Sequence, residues 1–344
     1  MAKLFFLVSG EHETLPTAEL QAILEAEGYP YRSVEKLDHV LKLEADLTCI
    51  GHIKRRAAFT RLCALELFTS KAEETAIENS LLSTDLKKFL KEEESFAVRI
   101  KRIKEYASKS DVMNLERKIG NIVKEKTKAK VNLRNPDKTF TGILTSNSLV
   151  FGLKLVEMPA KPFVERRPRK KPFFHPSAMS AKLTRCMVNL ARPKAGELVL
   201  DPFCGTGSTL IEAALIGCRV VGFDVQRRMT RGADRNLKHF GIKSEGVLMA
   251  DARCPPIVEV DCVVTDPPYG KSTITLKRST RQIVEEMLIA VGERLGSSRR
   301  VCIAAPKTLN IAHLAATLGY KHLESYFVYV HRSLTREVAV FEKA

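Results

Sequence analysis

From residue 198 to residue 318, short apolar runs alternate with helical segments, an order that a doubly wound parallel sheet accommodates and few other architectures do. The runs Leu198 to Leu200, Val220 to Phe223, Val247 to Met249, Cys262 to Thr265 and Val301 to Ala304 read as strands. Helices are expected at Thr209 to Ile216, Arg228 to His239, Gln282 to Leu295 and Leu309 to Leu318. Then the pattern changes. Leu323 to Val330 and Glu337 to Phe341, separated by Ser333, Leu334 and Thr335, predict an antiparallel hairpin at the sheet edge.

Upstream, prolines at 159, 162, 168, 172 and 176 surround a basic run from Lys161 to Lys171. Such a stretch should form neither a helix nor a central strand, so a semi-extended linker is expected. Its cations Arg166, Arg167, Arg169, Lys170 and Lys171 become candidate phosphate contacts. Before the linker the order is mixed, as in α+β units. Leu4 to Val8 and Val40 to Leu43 look like strands; Thr17 to Glu27, stopped by Gly28, and Cys49 to Phe68 look helical. A strand at Phe96 to Ile103, a basic helix at Val112 to Lys126 and strands near Val131 to Leu133 and Leu149 to Leu155 follow.

Lys and Arg number 56 against 40 Asp and Glu, a net charge of +16, which favours a polyanionic partner through counterion release. The excess is concentrated. Between Arg99 and Arg134 there are twelve Lys/Arg and four Asp/Glu, so this region reads as the electrostatic footprint. The eight cysteines show neither Cys-x-x-Cys nor a zinc-like spacing and read as small buried residues; no metal is expected. No apolar run approaches a signal-peptide core or a membrane span, so a cytoplasmic chain with reduced thiols is expected, with no membrane partner.

Asp201-Pro202-Phe203-Cys204-Gly205-Thr206-Gly207-Ser208 follows the first strand and opens a helix, where an α/β sheet binds its ligand. A dinucleotide fold would want a third glycine at position 210, which is Leu210, and no Gly-Lys-Ser/Thr completes a phosphate loop. S-adenosylmethionine, which has no phosphate, suits the loop better. Asp201 can hold its methionine end, Asp224 at the end of the second strand its ribose hydroxyls, and Asp251, with Ala252 beside it, its adenine. Each acid alone could be a cap or a turn residue. Three at successive strand ends beside a glycine loop point to one crevice.

The fourth strand runs into Asp266-Pro267-Pro268-Tyr269-Gly270. Paired prolines fix an extended backbone with free carbonyls. An aromatic amine is a weak nucleophile. Hydrogen bonds from its N–H groups to the Asp266 carboxylate and the Pro267 carbonyl would favour a pyramidal nitrogen aimed at a methyl group. Asp266 could take the proton, and Tyr269 could stack on an extruded base. No cysteine nucleophile for carbon methylation lies near.

These two loops resemble the amino-methyltransferase superfamily. Together with Phe174-His175-Pro176-Ser177-Ala178-Met179, the first loop looks like the archaeal tRNA guanine-10 N2-methyltransferases, in which the histidine-proline segment covers the cofactor. The resemblance implies that His175, Ser177, Phe203, Gly205, Thr206 and Gly207 belong to the cofactor site. Phe96 to Arg102, with Arg99, Lys101 and Arg102, and Asn132 to Asp137, with Arg134 and Asn135, look like strands of a THUMP domain. The implied organisation is α/β: a ferredoxin-like α+β domain at 1–60, an RNA-binding THUMP domain at 61–156, a linker at 157–175 and a Rossmann-fold methyltransferase at 176–344. The expected product is N2-methylguanosine, with N2,N2-dimethylguanosine, at the tenth position of tRNA, formed by a monomer. The rivals are an amino-methyltransferase for ribosomal RNA or DNA, and a noncatalytic RNA-binding protein. The catalytic sheet is expected to need no residue before the linker, so that a fragment from Arg169 should still bind S-adenosylmethionine but not methylate tRNA.

Overall fold

In the computed structural model, which describes residues 1–106, 111–269 and 279–343, the strands gather into two sheets belonging to two units. The first unit comprises residues 1–11, 29–54 and 60–159. Along the chain come β1 (Ala2–Val8), α1 (Leu15–Ala26), β2 (Tyr31–Leu37), β3 (Val40–Ala45), α2 (Cys49–Arg56), β4 (Thr60–Lys71), α3 (Glu74–Ser83), β5 (Ser95–Arg102), α4 (Val112–Thr127), β6 (Lys130–Val131), β7 (Lys138–Thr145) and β8 (Ser148–Glu157). The eight strands form one sheet in the order β2-β3-β1-β4-β8-β7-β5-β6. No break in pairing occurs at residue 60, because β4 bonds to β1 on one side and β8 on the other.

The helix expected from Cys49 to Phe68 ends at Arg56, and the rest is β4. A short apolar run carries helix and strand periodicity almost equally, and here Ala58 and Phe59 give their amide protons to the Glu19 carboxylate rather than to a helix. The basic helix is α4. Its apolar face (Leu115, Ile119, Val123) is buried, and Lys126 reaches the carbonyls of Leu81 and Thr84 at the end of α3. Strand β2 escaped detection because it is mostly polar and exposed, with Val34 its one apolar residue between Tyr31 and Leu37.

The second unit contains residues 12–28, 55–59 and 160–344. Its strands are β9 (Leu198–Asp201), β10 (Arg219–Asp224), β11 (Gly246–Met249), β12 (Val260–Thr265), β13 (Leu295–Pro306), β14 (Tyr320–His331) and β15 (Leu334–Lys343). They lie in the order β11-β10-β9-β12-β13-β15-β14. The first five are parallel, and β15 runs antiparallel to both β13 and β14, as the hairpin pattern predicts. Helices α5 (Lys161–Glu165), α6 (Ala181–Leu190), α7 (Ser208–Ala214), α8 (Arg227–His239), α9 (Thr280–Gly292) and α10 (Ile311–Thr317) complete it. Two apolar layers, one on each sheet face, form the core. Among the described residues, no helix is long and apolar enough to cross a membrane.

Two expectations are overturned here. The proline-rich stretch forms α5 and a 3-10 turn, Pro168–Lys170, since a proline in the first turn of a helix lacks only an N–H that would have no partner anyway. Arg166 and Lys171 are buried within the unit instead of facing solvent. Arg166 bonds both Glu212 oxygens, at 2.7 and 3.1 Å, and Glu212 also meets Arg185 at 2.8 Å. Lys171 donates to Ser208 Oγ at 2.7 Å, and burial lowers it to about 8.

The second unit also incorporates N-terminal chain. Leu15, Ala18 and Ala22 of α1, with Phe59, pack in the same apolar cluster as Leu183, Cys186 and Leu190 of α6. The Glu19 carboxylate accepts from Ala58 and Phe59 N–H at 3.0 and 2.8 Å and from Asn189 Nδ2 at 2.9 Å. Arg56, fully buried, bonds Asn189 Oδ1 at 3.1 Å and Glu27 Oε1 at 2.8 Å. Burial raises Glu19 to about 7, against the pull of these donors. Residues before the linker are therefore part of this unit's core. Of the eight cysteines, seven are buried as expected, whereas Cys254 is exposed.

Candidate cofactor and catalytic site

The glycine-bearing loop joins β9 to α7. Gly205 and Gly207 have φ of +50° and +78°, a region that favours glycine. A Cβ at Gly207 would also come within 3.1 Å of Ala233 Cβ, so a side chain there would be both strained and crowded. The turn is tightened by Gly207 N–H bonding the Cys204 carbonyl at 2.7 Å. Asn236, buried in α8, donates to the Thr206 and Phe173 carbonyls at 2.9 Å each and accepts from Phe173 N–H. A Cβ at Gly232 would meet the Phe173 ring at 2.0 Å, so that glycine makes room for the segment leading to His175. Neither Asn236 nor Gly232 lies in a readable motif; their roles exist only once α8 packs against the loop.

One cavity gathers His175, Ser177, Asp201, Phe203, Thr206 and Asp266 around Gly205. His175 Nδ1 and Ser177 Oγ are 2.7 Å apart. Asp201 accepts from Thr265 Oγ1 at 2.7 Å and Phe203 N–H at 3.1 Å. Burial raises it to about 7, these bonds oppose the rise, and the nearby Asp266 adds to it. The left-handed glycines and a buried acid at the end of β9 suit S-adenosylmethionine: the backbone would leave room for it, and the carboxylate could answer its ammonium.

An acid raised in the folded state holds a proton where the unfolded chain has lost it. Its contribution to stability is thus fullest below pH about 4 and is lost as pH rises through about 7. Cofactor binding has the opposite preference, because only ionised Asp201 serves an ammonium. S-adenosylmethionine affinity should fall about tenfold per pH unit below about 7 and level off above it. Titration calorimetry over that range tests this; a flat profile would remove Asp201 from the cation's contacts.

Asp224, Asp251, Ala252 and Gly207 do not line the cavity. Asp224 accepts from Gly205 N–H at 3.2 Å and Gln226 N–H at 2.9 Å, bracing the loop, while burial raises it above the usual carboxylate range. Asp224→Ala should mainly raise KM for S-adenosylmethionine, and an unchanged KM would exclude it from the site. Asp251 is gripped by Arg253 through both oxygens, at 2.9 and 2.5 Å, and Arg253 continues to Glu286 at 3.2 Å. Ala252 is buried in the core. The sequence gives no hint of Arg253 as a competitor for Asp251.

Asp266 ends β12 in the same cavity. Tyr269 OH donates to its Oδ1 at 2.8 Å, Arg336 Nη2 lies 3.6 Å from its Oδ2, and Arg336 Nε donates to the Tyr269 oxygen. Burial pushes Asp266 upward, and Arg336 and Tyr269 pull it down. The Arg336 guanidinium also stands 5.6 Å from the centre of the Tyr269 ring. Gly270 lies outside the described residues.

The predicted RNA contacts divide by exposure. Arg134, Asn135, Arg167, Arg169 and Lys170 are exposed, Lys170 beside Glu165 at 3.3 Å. Lys101 is exposed too, 3.5 Å from Glu157, whereas Arg99, which donates to the Leu133 carbonyl at 2.6 Å, and Arg102 are partly buried. Arg166 and Lys171 are withdrawn from phosphate by the burial described above.

A family model described as RMKL-like, methyltransferase domain, matches residues 168–336; another, described as DNA methylase, matches 58–235 and stops short of Asp266. The tRNA (guanine(10)-N2)-dimethyltransferase of Methanothermobacter thermautotrophicus is 37% identical over 342 residues, covering 99% of each chain. The protein of the same description from Methanocaldococcus jannaschii is 32% identical, covering 98% of this chain and 99% of its own. The crystal structure of TrmN from Thermus thermophilus matches with TM-score 0.56 and 20% identity, over 99% of this chain and 100% of that one. A putative methyltransferase, SMU.472, complexed with SAH, gives 0.56 and 13%, over 100% and 99%. These two share the fold.

Proposed function

The chain belongs to the tRNA (guanine(10)-N2)-dimethyltransferase family, and from that premise we propose that it methylates the N2 amino group of guanosine at the tenth position of tRNA, once and then again. The observation that carries the reading is the convergence of the Asp201–Gly207 loop and Asp266 on one cavity. S-adenosylmethionine, when bound, supplies a methyl group on a sulfonium. His175, Ser177, Asp201 and Thr206 are the residues to hold it, with Asp224 bracing the loop. Asp266 and the Pro267 carbonyl accept the two N–H bonds of the amine, which turns its lone pair out of conjugation. The N–C bond would form as the methyl–sulfur bond breaks, its electron pair staying on sulfur to leave the neutral thioether S-adenosylhomocysteine, and the surplus proton on nitrogen passes to the Asp266 carboxylate.

The first unit is the tRNA docking module in this proposal, its residues up to 60 (1–11, 29–54 and 60) being the ferredoxin-like part and 61–156 a THUMP domain. Support comes from the twelve-to-four excess of cations between Arg99 and Arg134. The protein works as a cytoplasmic monomer in this reading. Nucleoside mass spectrometry of one candidate tRNA treated with enzyme and labelled cofactor tests base, atom and methyl number together. Label on adenosine, or on no nucleoside despite cofactor binding, would sink the assignment.

A further inference from the structure

We propose that Arg336 is a positioning residue for the methyl transfer, which holds the Asp266 carboxylate and the Tyr269 phenol in one fixed arrangement from the hairpin at the sheet edge. It rests on the reading that Asp266 receives the amine. Strand β15 sets Arg336 opposite Pro306 of β13 and Val328 of β14, at the end of the sheet where β12 delivers Asp266. The side chain is only 13% exposed. A guanidinium so enclosed needs partners, and it finds them in the reacting loop.

The three groups form a closed ring of contacts. Arg336 donates to the phenol oxygen, the phenol donates to Asp266 Oδ1, and the guanidinium faces Oδ2 at 3.6 Å. Each fixes the other two, so the carboxylate keeps one orientation before the base arrives. Charge balance points the same way. Among the described residues, the ionisable groups that bear on Asp266 are Arg336 from β15, Tyr269 from its own loop and Asp201 from β9. Burial favours the neutral acid, which could neither accept both an amine hydrogen bond and its proton nor balance developing positive charge. Arg336 is the cation that opposes it.

A purely structural role would lower stability and turnover without touching the titration of Asp266, so the pH profile decides. In the full-length chain, Arg336→Met should lower kcat near pH 7 at least about tenfold and move the acidic limb of the kcat profile up by about one unit or more. S-adenosylmethionine affinity should stay within about twofold. Arg336→Lys, which keeps the charge but not the fork, should return the limb towards wild type while recovering turnover only in part. If Arg336→Met does not fold, Arg336→Gln is read in its place. A folded variant whose limb does not move overturns the proposal. Asp266→Ala, run alongside, separates the two readings: if it keeps full turnover, the role of Asp266 itself is wrong; if it loses turnover while the Arg336 limb stays fixed, only the role of Arg336 is wrong.

Discussion

Asp266→Ala should lower turnover at least about a hundredfold while leaving S-adenosylmethionine binding nearly intact, because in the proposed mechanism the carboxylate acts on the amine as it becomes cationic and not on the resting cofactor. The geometry sharpens this expectation. Asp266 shares the cavity with the glycine loop, but its hydrogen bond comes from Tyr269 and its ion pair is with Arg336, not with the loop. Its removal therefore leaves the loop's own bonds in place, including Asp224 to Gly205 and Asn236 to Thr206. Single-turnover methylation of tRNA, set beside calorimetric cofactor titration, measures the two effects separately. Turnover near wild type would show that the amine is held elsewhere.

A fragment beginning at Arg169 should neither unfold cooperatively nor bind S-adenosylmethionine. It lacks α1, Arg56, Phe59 and Arg166, all of which belong to the catalytic unit. Asn189 would lose Glu19 and Arg56, while Glu212 would lose one of its two arginines. Removing one member of a buried ionic set costs about 3–5 kcal/mol, and an orphaned buried amide about 1–3 kcal/mol more. Those losses approach the whole stability of an ordinary domain, about 5–15 kcal/mol, before the uncovered apolar face of α6 is counted. Thermal unfolding by circular dichroism and cofactor titration, compared with the full chain, are the measurements. A fragment that melts cooperatively and binds as tightly as the full chain would show the N-terminal segments to be dispensable.

What could be read in the sequence was what is determined locally. The strands of the second sheet, the Asp201–Ser208 loop and the Asp266–Tyr269 loop depend on residues adjacent in the chain, and their torsional demands appear as glycines and prolines. Arg336, Arg253 and Asn236 carry no such mark. Each acts on a group brought to it by the fold, across 70, 2 and 30 residues for Asp266, Asp251 and Thr206, and even the shortest of these needs a side-chain pairing that spacing does not announce. Arg166 and Lys171 misled because charge in a proline-rich stretch ordinarily means solvent, whereas here Glu212 lies buried beneath them. The helix read through residue 68 failed for a related reason: the acceptor for the amides of Ala58 and Phe59 lies about 40 positions earlier, on α1.

The three-segment make-up of the catalytic unit has a consequence for its biosynthesis. Glu19 leaves the ribosome 170 residues before Asn189, its partner. At ~5–20 residues per second, that interval is on the order of ten seconds. Throughout it, α1 has an apolar face and an acid but none of the α6 surface that will cover them, while every strand of the first sheet has already been made by residue 157. Vectorial synthesis thus delivers the first unit ready to close, while α1, encoded between β1 and β2, still waits for the rest of the second unit. Pairing across so long a stretch of chain is slow, and nascent chains stalled before α6 should expose α1 to proteases and chaperones that the finished enzyme excludes.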